Sequence, residues 1–349
     1  MPGQVEDGSV FIRDVKEASQ TYSKGCFGYP LSGGFLELDL VEAAFLVELN
    51  RLEVFRKNKK MDFPAIFEYA SGKVEGFDIK YIVYKDLRER GFIVKPESGS
   101  FDLRVYPRGM LPSKVSPLYM VCAVSERSAM SLSDFSADVS ETEDIGKGLL
   151  YGVVDEEGDP TYYKMFARDP EGSVPVSREG SNFTGKLNGD RVFVFDENES
   201  LALHNEAFYG RMSGGVLQLS LIESCYLTDA GALTVFDRKG KELFRKDLVA
   251  FGKKNQEEFD LRMATYEDLR KRGLVVKTGF KYGTHFRVYE GSPDECHARY
   301  LVHAVPATKV AMWPDISRTV RLSGGVKKQI LFCRVSKTLE YLEFQWFRP

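Results

Sequence analysis

Side chains that can transfer protons and hold an anion are concentrated in the last quarter of this 349-residue chain. Three of the four histidines fall within 19 residues, and the whole group comprises His285, Tyr289, His297, His303, Lys327 and Lys328. A histidine transfers protons near neutral pH, and a tyrosine can do so once its phenol is activated. A lysine ammonium stabilises developing negative charge. These residue types therefore suit acid–base catalysis beside an anionic group.

The same residues also fit other interpretations. The spacings of the three histidines, with no carboxylate triad nearby, match no compact ligand pattern, so we expect no metal and no cofactor. Cys296 precedes His297 and could be a nucleophile. However, the five cysteines are scattered without a CxxC pair, and inert reduced thiols are commoner. A histidine beside a strand is also more often a packing residue than a catalyst.

The chain repeats itself at an offset of about 181 residues, which indicates the duplication of a whole unit. Residues 31–46 read LSGGFLELDLVEAAFL, and residues 212–227 read MSGGVLQLSLIESCYL. Residues 84–95 read YKDLRERGFIVK, and residues 266–277 read YEDLRKRGLVVK. We place the boundary between the repeats in the polar stretch of residues 169–185, which is rich in glycine and proline.

The two repeats differ at the candidate catalytic positions. Three sets of positions correspond: Tyr106 with Tyr289, Ser116 with His297, and Gly146-Lys147 with Lys327-Lys328. The first repeat thus keeps a tyrosine and a lysine but lacks the histidine, as expected of a catalytically silent copy. Drift at surface positions is the alternative interpretation.

The elements that must position these residues follow from the periodicity of the second repeat. Alternating VLQLSL predicts a strand before an apolar helix, and YEDLRKRG predicts a second helix that ends at Gly273. The segments LVVKTG, HFRVYE and ARYLVHAV predict three strands. ISRTVRLSGGV then predicts a helix, followed by closing strands in KQILFCRV and LEYLEFQWF.

This order predicts an α/β fold built as a tandem duplication. Each repeat has a small N-terminal α/β subdomain followed by a mixed-sheet α/β subdomain. The predicted domains are an N-terminal subdomain (1–98) and an inactive catalytic-like subdomain (99–180), then a second N-terminal subdomain (181–277) and the catalytic subdomain (278–349).

Composition and charge exclude some classes of protein. With 43% apolar and 28% charged residues, the chain is neither disordered nor fibrous. No apolar run approaches the roughly 18 residues that span a bilayer, so we expect a cytoplasmic protein without membrane contact. The net charge of −3 conceals an asymmetry. Residues 277–349 hold twelve Lys and Arg against six Asp and Glu, whereas residues 101–183 hold eight against fourteen.

Three segments resemble the catalytic segments of archaeal tRNA-splicing endonucleases: FKYGTHFRVYE, DECHARYLVH and VRLSGGVKKQI. The similarity extends through YEDLRKRGLVVKTGF and LSLIESCYL to nearly all of the second repeat. The duplicated form resembles the homodimeric members of that family, which pair one inactive and one active unit in a chain. The mixed-sheet subdomains are accordingly expected to be nuclease-like.

The resemblance implies excision of introns from precursor tRNA at bulge–helix–bulge motifs without a metal. The ribose 2′-hydroxyl attacks its own phosphate and leaves 2′,3′-cyclic phosphate and 5′-hydroxyl ends. Tyr289 is then the general base, His297 the general acid, and Lys328 the cation that faces the phosphorane. A free phenol has a pKa of about 10, and we expect Lys328 to lower it.

The resemblance also implies residues for recognition. Arg321 and Trp346 fall on the positions of a clamp for a bulged base, although Trp346 could instead pack in a dimer interface. Lys327, the preceding basic position, is a further candidate for RNA binding.

An acidic loop of the first repeat is the candidate dimer contact, and it comprises Asp155, Glu156, Glu157 and Asp159. We expect it to dock into a basic pocket of a second copy, with the C-terminal strands contributing to the homodimer. Two alternatives of other classes remain: a non-catalytic RNA-binding or assembly subunit, and a metal-dependent nuclease on a related sheet.

Overall fold

The computed structural model describes residues 3–174 and 182–349, and the chain divides into two compact units. The first contains Met1–Phe166, Val310–Arg318 and Phe344–Pro349, and the second contains Ala167–Lys309 and Thr319–Glu343. The predicted boundary between residues 180 and 181 lies outside the described residues. Within the described ranges, no helix has the length and apolar character needed to cross a membrane.

The first repeat begins with a six-stranded sheet in the order β3-β4-β2-β1-β5-β6, in which β1 and β5 are parallel. Asp39 starts the buried helix α2 with a capping box, because its side chain accepts from the backbone of the first turn while Glu42 reaches back. The elements are β1 Gly3–Glu6, β2 Ser9–Ile12, α1 Val15–Ser23, β3 Tyr29–Pro30, a 3-10 turn Ser32–Gly34, β4 Leu36–Asp39, α2 Leu40–Glu48, β5 Val54–Arg56, β6 Lys59–Met61 and α3 Phe63–Ser71.

The rest of the first repeat contains strands ordered β12-β11-β9-β8-β7. Strands β9 and β11 are parallel, since β10 and α5 form the crossover between them, and the other neighbours are antiparallel. The elements are α4 Phe77–Glu89, β7 Ile93–Pro96, β8 Leu103–Tyr106, β9 Tyr119–Ser125, β10 Ala129–Ser131, α5 Leu132–Asp144, β11 Gly148–Val154 and β12 Pro160–Arg168.

The second repeat begins with the same arrangement, a six-stranded sheet in the order β15-β16-β14-β13-β17-β18. Ser220 and Glu223 form the capping box of α7, as Asp39 and Glu42 do for α2. The elements are β13 Phe183–Asn188, β14 Arg191–Val194, α6 Glu197–Ala207, β15 Arg211–Ser213, β16 Val216–Ser220, α7 Leu221–Asp229, β17 Leu233–Phe236, β18 Glu242–Leu243 and α8 Arg245–Asn255.

The last part of the chain has strands ordered β19-β20-β21-β23-β24, with β21 and β23 parallel across the crossover through α10. Helix α9 packs on one face of this sheet, and its apolar residues form a buried core with those of β21 and β23. The elements are α9 Phe259–Lys271, β19 Val275–Thr278, a 3-10 turn Phe280–Tyr282, β20 Phe286–Tyr289, β21 Tyr300–Pro306, β22 Val310–Met312, α10 Trp313–Gly325, β23 Gln329–Val335 and β24 Leu339–Phe347.

The predicted elements of the second repeat are confirmed, and so is the α/β duplication. Gly273 lies just past α9 with φ +75°, and Leu274 N–H donates to Leu269 O at 3.2 Å, which ends the helix as predicted. The predicted domain bound at 277/278 falls within β19, and that at 98/99 falls between β7 and β8. The division into four domains stays a prediction.

Candidate active site

Tyr289 is the last residue of β20, which pairs with β19 on one side and β21 on the other. The strand forms because FRVY is rich in aromatic and β-branched residues. The Tyr289 side chain is buried in a small cluster with Val174, Val275 and Ala298. The guanidinium of Arg287, two residues earlier and therefore on the same face of the strand, lies 5.8 Å from its ring centroid.

Burial raises the pKa of Tyr289, because an apolar cluster disfavours a phenolate, and the positive charge of Arg287 opposes this effect. The expectation that Lys328 lowers the pKa of Tyr289 stays a prediction. The Lys328 Nζ donates a hydrogen bond to the carbonyl oxygen of Ala298. Arg287 was not among the residues predicted from the sequence, although its position two residues before Tyr289 was the available signal.

His297 lies in the loop that joins β20 to β21, and its side chain is exposed. The loop has internal order, because Cys296 N–H donates to Ser292 O at 3.0 Å and the Cys296 thiol also contacts that oxygen. Ala298, the next residue, is buried and anchors the end of the loop. His297 is thus presented to solvent between a turn and a buried neighbour, an arrangement suited to a proton donor.

Lys328 follows the C-terminal end of α10, which closes with a Schellman motif. Lys328 N–H donates to Ser323 O at 3.0 Å, and Lys327 N–H donates to Gly324 O at 3.1 Å. The Lys328 Nζ lies 3.1 Å from Ala298 O and 5.9 Å from the ring centroid of Tyr282.

Ala298 links the three segments that carry the predicted catalytic residues. It lies in the same buried cluster as Tyr289, follows His297 in the chain, and accepts a hydrogen bond from Lys328. The fold thereby brings three separate segments together, which carry a phenol, an imidazole and an ammonium. Such a set can supply a base, an acid and an anion-stabilising charge.

Lys327 adopts a left-handed backbone conformation with φ +53°, which a non-glycine residue rarely does. The corresponding residue of the first repeat is Gly146, with φ +66°, at the same place in the same motif. Lys327 is exposed. A lysine at a position that favours glycine indicates that its charge serves something other than folding.

The remaining predicted RNA-binding residues are both at the surface. Arg321 is exposed on α10. Trp346 is 48% exposed on β24, and the guanidinium of Arg348 lies 4.4 Å from its ring centroid. One side chain that can stack on Trp346 is therefore already present beside it.

His285 and His303 form a packed pair whose ring centroids are 5.0 Å apart. His285 Nδ1 accepts a hydrogen bond from Ala304 N–H at 3.0 Å. Burial lowers the pKa of both histidines, that of His285 to about 4. They are packing residues. Across residues 3–174 and 182–349, no group of three or more His, Cys, Asp or Glu side chains is arranged to hold a metal ion.

The second unit also contains a cavity of about 690 Å³ whose lining has an excess of cations, the basic cavity. Six cationic and three acidic side chains line it: Arg191, Arg211, Arg262, Lys277, Lys281 and Arg287, and Asp190, Glu223 and Asp294. Lys277 Nζ donates to Gly210 O at 2.8 Å and lies 4.0 Å from Glu223.

The corresponding lysine of the first repeat is enclosed. Lys95 forms a buried ion pair with Glu42 at 2.7 Å, and the ring of Tyr29 covers its Nζ at 4.2 Å. Tyr29 pairs with residue 37 of β4, just as Arg211 pairs with residue 218 of β16. An arginine in place of a covering tyrosine thus accompanies the basic cavity, a difference between the repeats that was not predicted from the sequence.

The acidic run lies where it was predicted, in the tight turn between β11 and β12. Asp155 Oδ1 accepts from the backbone N–H groups of Glu157 at 3.0 Å and Asp159 at 2.9 Å, which fixes the turn. Glu156 pairs with Arg127. All four acidic side chains are exposed at the tip of an ordered hairpin.

The whole chain is similar to known proteins. The family model described as tRNA intron endonuclease, N-terminal domain, matches residues 1–67 and 183–249. The model described as tRNA intron endonuclease, catalytic C-terminal domain, matches residues 77–162 and 259–341.

Curated relatives agree with these matches. The tRNA-splicing endonuclease of Methanosarcina mazei is 40% identical over 334 residues, which cover 94% of each protein. That of Methanosarcina acetivorans is 39% identical over 342 residues, or 97% of each. That of Halobacterium salinarum is 34% identical over 328 residues, or 89% of each. The chain therefore belongs to the tRNA intron endonuclease family and carries both of its domains twice.

Proposed function

We propose that this chain excises introns from precursor tRNA by cutting at bulge–helix–bulge motifs without a metal ion, leaving 2′,3′-cyclic phosphate and 5′-hydroxyl ends. The observation that carries this proposal is the convergence of Tyr289, His297 and Lys328 on Ala298. Family membership makes the chain an endonuclease of tRNA splicing. The convergence supports an active site in the second repeat.

Each residue has one role in the proposed reaction. Tyr289 accepts the proton of the 2′-hydroxyl as that oxygen forms a bond to the adjacent phosphorus. The bond from phosphorus to the 5′-oxygen then breaks, and His297 donates a proton to the departing oxygen. Lys328 faces the additional negative charge of the phosphorane. Because burial raises the pKa of Tyr289, Arg287 assists by stabilising the phenolate.

Arg321, Trp346 and Lys327 are proposed to hold the RNA. Proteins recognise unpaired RNA bases by stacking and bind the RNA backbone through charge, since the major groove of an A-form helix is too narrow to admit side chains. The exposed indole of Trp346 suits the first task, and the exposed cations Arg321 and Lys327 suit the second.

We propose that the chain forms a homodimer in which the acidic hairpin of one copy, Asp155–Asp159, docks into the basic cavity of the other. The hairpin presents four carboxylates on an ordered turn. The cavity has an excess of cations. Complementary charges of this kind orient partners and fix their register. The C-terminal strands are proposed to contribute to the same dimer, and the cytoplasmic location stays a prediction.

One experiment tests the proposed chemistry. The protein is incubated with a bulge–helix–bulge RNA in excess chelator, and the product ends are analysed. We expect cyclic phosphate ends from the wild type and loss of cleavage in His297→Ala. Dependence on magnesium, or full activity of His297→Ala, would contradict the proposal. Binding without cleavage by the wild type would instead favour the non-catalytic subunit.

A further inference from the structure

The 3-10 turn Phe280–Tyr282 lies beside the catalytic residues and presents three side chains in different directions, because successive residues of such a turn are about 120° apart. Tyr282 lies 5.9 Å from the Nζ of Lys328. Lys281 lines the basic cavity. Phe280 is 85% exposed.

Phe280 is the most exposed large hydrophobic side chain within residues 3–174 and 182–349. A phenyl ring left in water forfeits the stabilisation that burial would provide. Scattered surface apolar residues need no explanation, but a nearly fully exposed aromatic ring next to an active site is different. Its position is suited to contact with a ligand.

The ring is held on an ordered segment. Phe280 O accepts from Gly283 N–H at 3.1 Å, and Tyr282 N–H donates to Gly279 O at 2.8 Å. The hydroxyl of Thr284, which is buried, donates to Phe286 O at 3.2 Å and packs against Gly279, where any Cβ would collide with it. Phe280 is therefore exposed because the backbone directs it outward.

The first repeat provides a control within the same molecule. The segment between β7 and β8, residues 97–102, has a single aromatic residue, Phe101, and its side chain is only 4% exposed. This repeat has Ser116 in place of His297. The exposed ring thus accompanies the complete catalytic set, and the silent copy has no counterpart to it.

We infer that Phe280 is a stacking platform for an unpaired base of the RNA next to the scissile phosphate. This inference rests on the proposed function. Nucleobases stack on exposed aromatic rings in single-stranded segments. The occupant is RNA rather than an apolar partner, because the turn that carries the ring contains the cation Lys281 and lies beside the cation Lys328. Tyr282 positions the ring by anchoring the turn beside Lys328.

The test measures equilibrium binding of a bulge–helix–bulge RNA with 2′-deoxy substitutions at both cleavage sites, which prevent cleavage. Phe280→Ala should bind roughly 5- to 100-fold more weakly, whereas Phe280→Trp should remain within about threefold of the wild type. The matched control is Phe195→Ala, which removes another exposed ring, 59% exposed, from the N-terminal family domain. It should bind like the wild type.

Two further readouts identify stacking. The salt dependence of binding should be the same for Phe280→Ala and the wild type, since no phosphate contact is lost. The tryptophan fluorescence of Phe280→Trp, corrected for the wild-type signal, should be quenched when the RNA binds.

Unchanged affinity of Phe280→Ala would overturn the inference. So would weaker self-association of Phe280→Ala in sedimentation without RNA, because the ring would then cover a second copy. Cleavage of the unmodified RNA by the wild type separates this inference from the proposed function. Without cleavage the proposed function fails, whereas cleavage together with unchanged Phe280→Ala affinity contradicts the inference alone.

Discussion

Lys328 donates a hydrogen bond from Nζ to the carbonyl oxygen of Ala298 over 3.1 Å, and this bond links the end of α10 to the loop that carries His297. The two segments are 30 residues apart in the chain. The position of the ammonium is therefore fixed by the residue that follows the proposed general acid.

Lys328→Ala should reduce the single-turnover cleavage rate roughly 100- to 1,000-fold at saturating enzyme, because the phosphorane loses its cation. The matched control is Lys147→Ala, which removes the lysine at the corresponding position of the silent repeat. That variant should cleave at the wild-type rate. Equal rates for the two variants would contradict the role of Lys328.

Lys327→Gly should stabilise the protein while weakening RNA binding. Glycine adopts φ > 0 without the steric cost that lysine incurs, so we expect the free energy of unfolding to rise by roughly 1 kcal/mol in urea denaturation. RNA affinity should fall with a shallower salt dependence, since one cation is lost.

The reciprocal change at the same motif is Gly146→Ala in the first repeat. It should destabilise the protein by roughly 1 kcal/mol and leave RNA affinity unchanged, because it adds strain without removing a charge. If Lys327→Gly were instead destabilised, the left-handed conformation would not be the source of strain.

His285 should make the stability of the protein sensitive to acid. Burial, His303 and Arg262 lower its pKa to about 4, and Glu258 lies 3.4 Å from Nε2. The unfolded chain, with a pKa of about 6.5, binds the proton more tightly. The contribution of neutral His285 to stability is thus fully present above about pH 6.5. It is lost as the pH falls toward 4, which lowers the free energy of unfolding by roughly 2–3 kcal/mol.

The measurement compares urea midpoints at about pH 7.5 and about pH 5. His285→Asn keeps an acceptor for the Ala304 N–H but does not titrate, so it should lose less stability on acidification than the wild type. His297→Asn removes an exposed histidine and should retain the wild-type dependence. Identical pH dependence of the wild type and His285→Asn would contradict the prediction.

Neutralising the acidic hairpin should weaken the proposed dimer. The variant combines Asp155→Asn, Glu156→Gln, Glu157→Gln and Asp159→Asn, and we expect the dimer dissociation constant to rise at least about tenfold in sedimentation. Arg211→Glu, which reverses one charge of the basic cavity, should have a similar effect. Neutralising the exposed pair Glu53 and Lys60 serves as the control and should have no effect. A dimer unaffected by the hairpin changes would contradict the docking proposal.

The order of elements was predictable from the sequence because each is specified locally. Alternation in VLQLSL and β-branched FRVY indicate strands, and Gly273 ends α9 through a conformation that glycine adopts readily. The duplication could be read directly, since the two copies still share long similar segments. The trio could be predicted because three segments resemble the catalytic segments of archaeal tRNA-splicing endonucleases, and a serine at position 116 opposite His297 fits a silent first copy.

The sequence by itself determined the duplication and the order of the elements along the chain, because propensity and internal similarity act over short stretches of chain. Its resemblance to a known family supplied the residues proposed for catalysis. Only the tertiary structure decided which groups surround them. Arg287 opposes the rise in the pKa of Tyr289 because both side chains lie on the same face of β20. Lys328 donates a hydrogen bond to Ala298. Tyr29 covers Lys95 in the first repeat, whereas Arg211 at the corresponding position lines the basic cavity of the second. Burial and distance set these effects, and both depend on residues far apart in the chain.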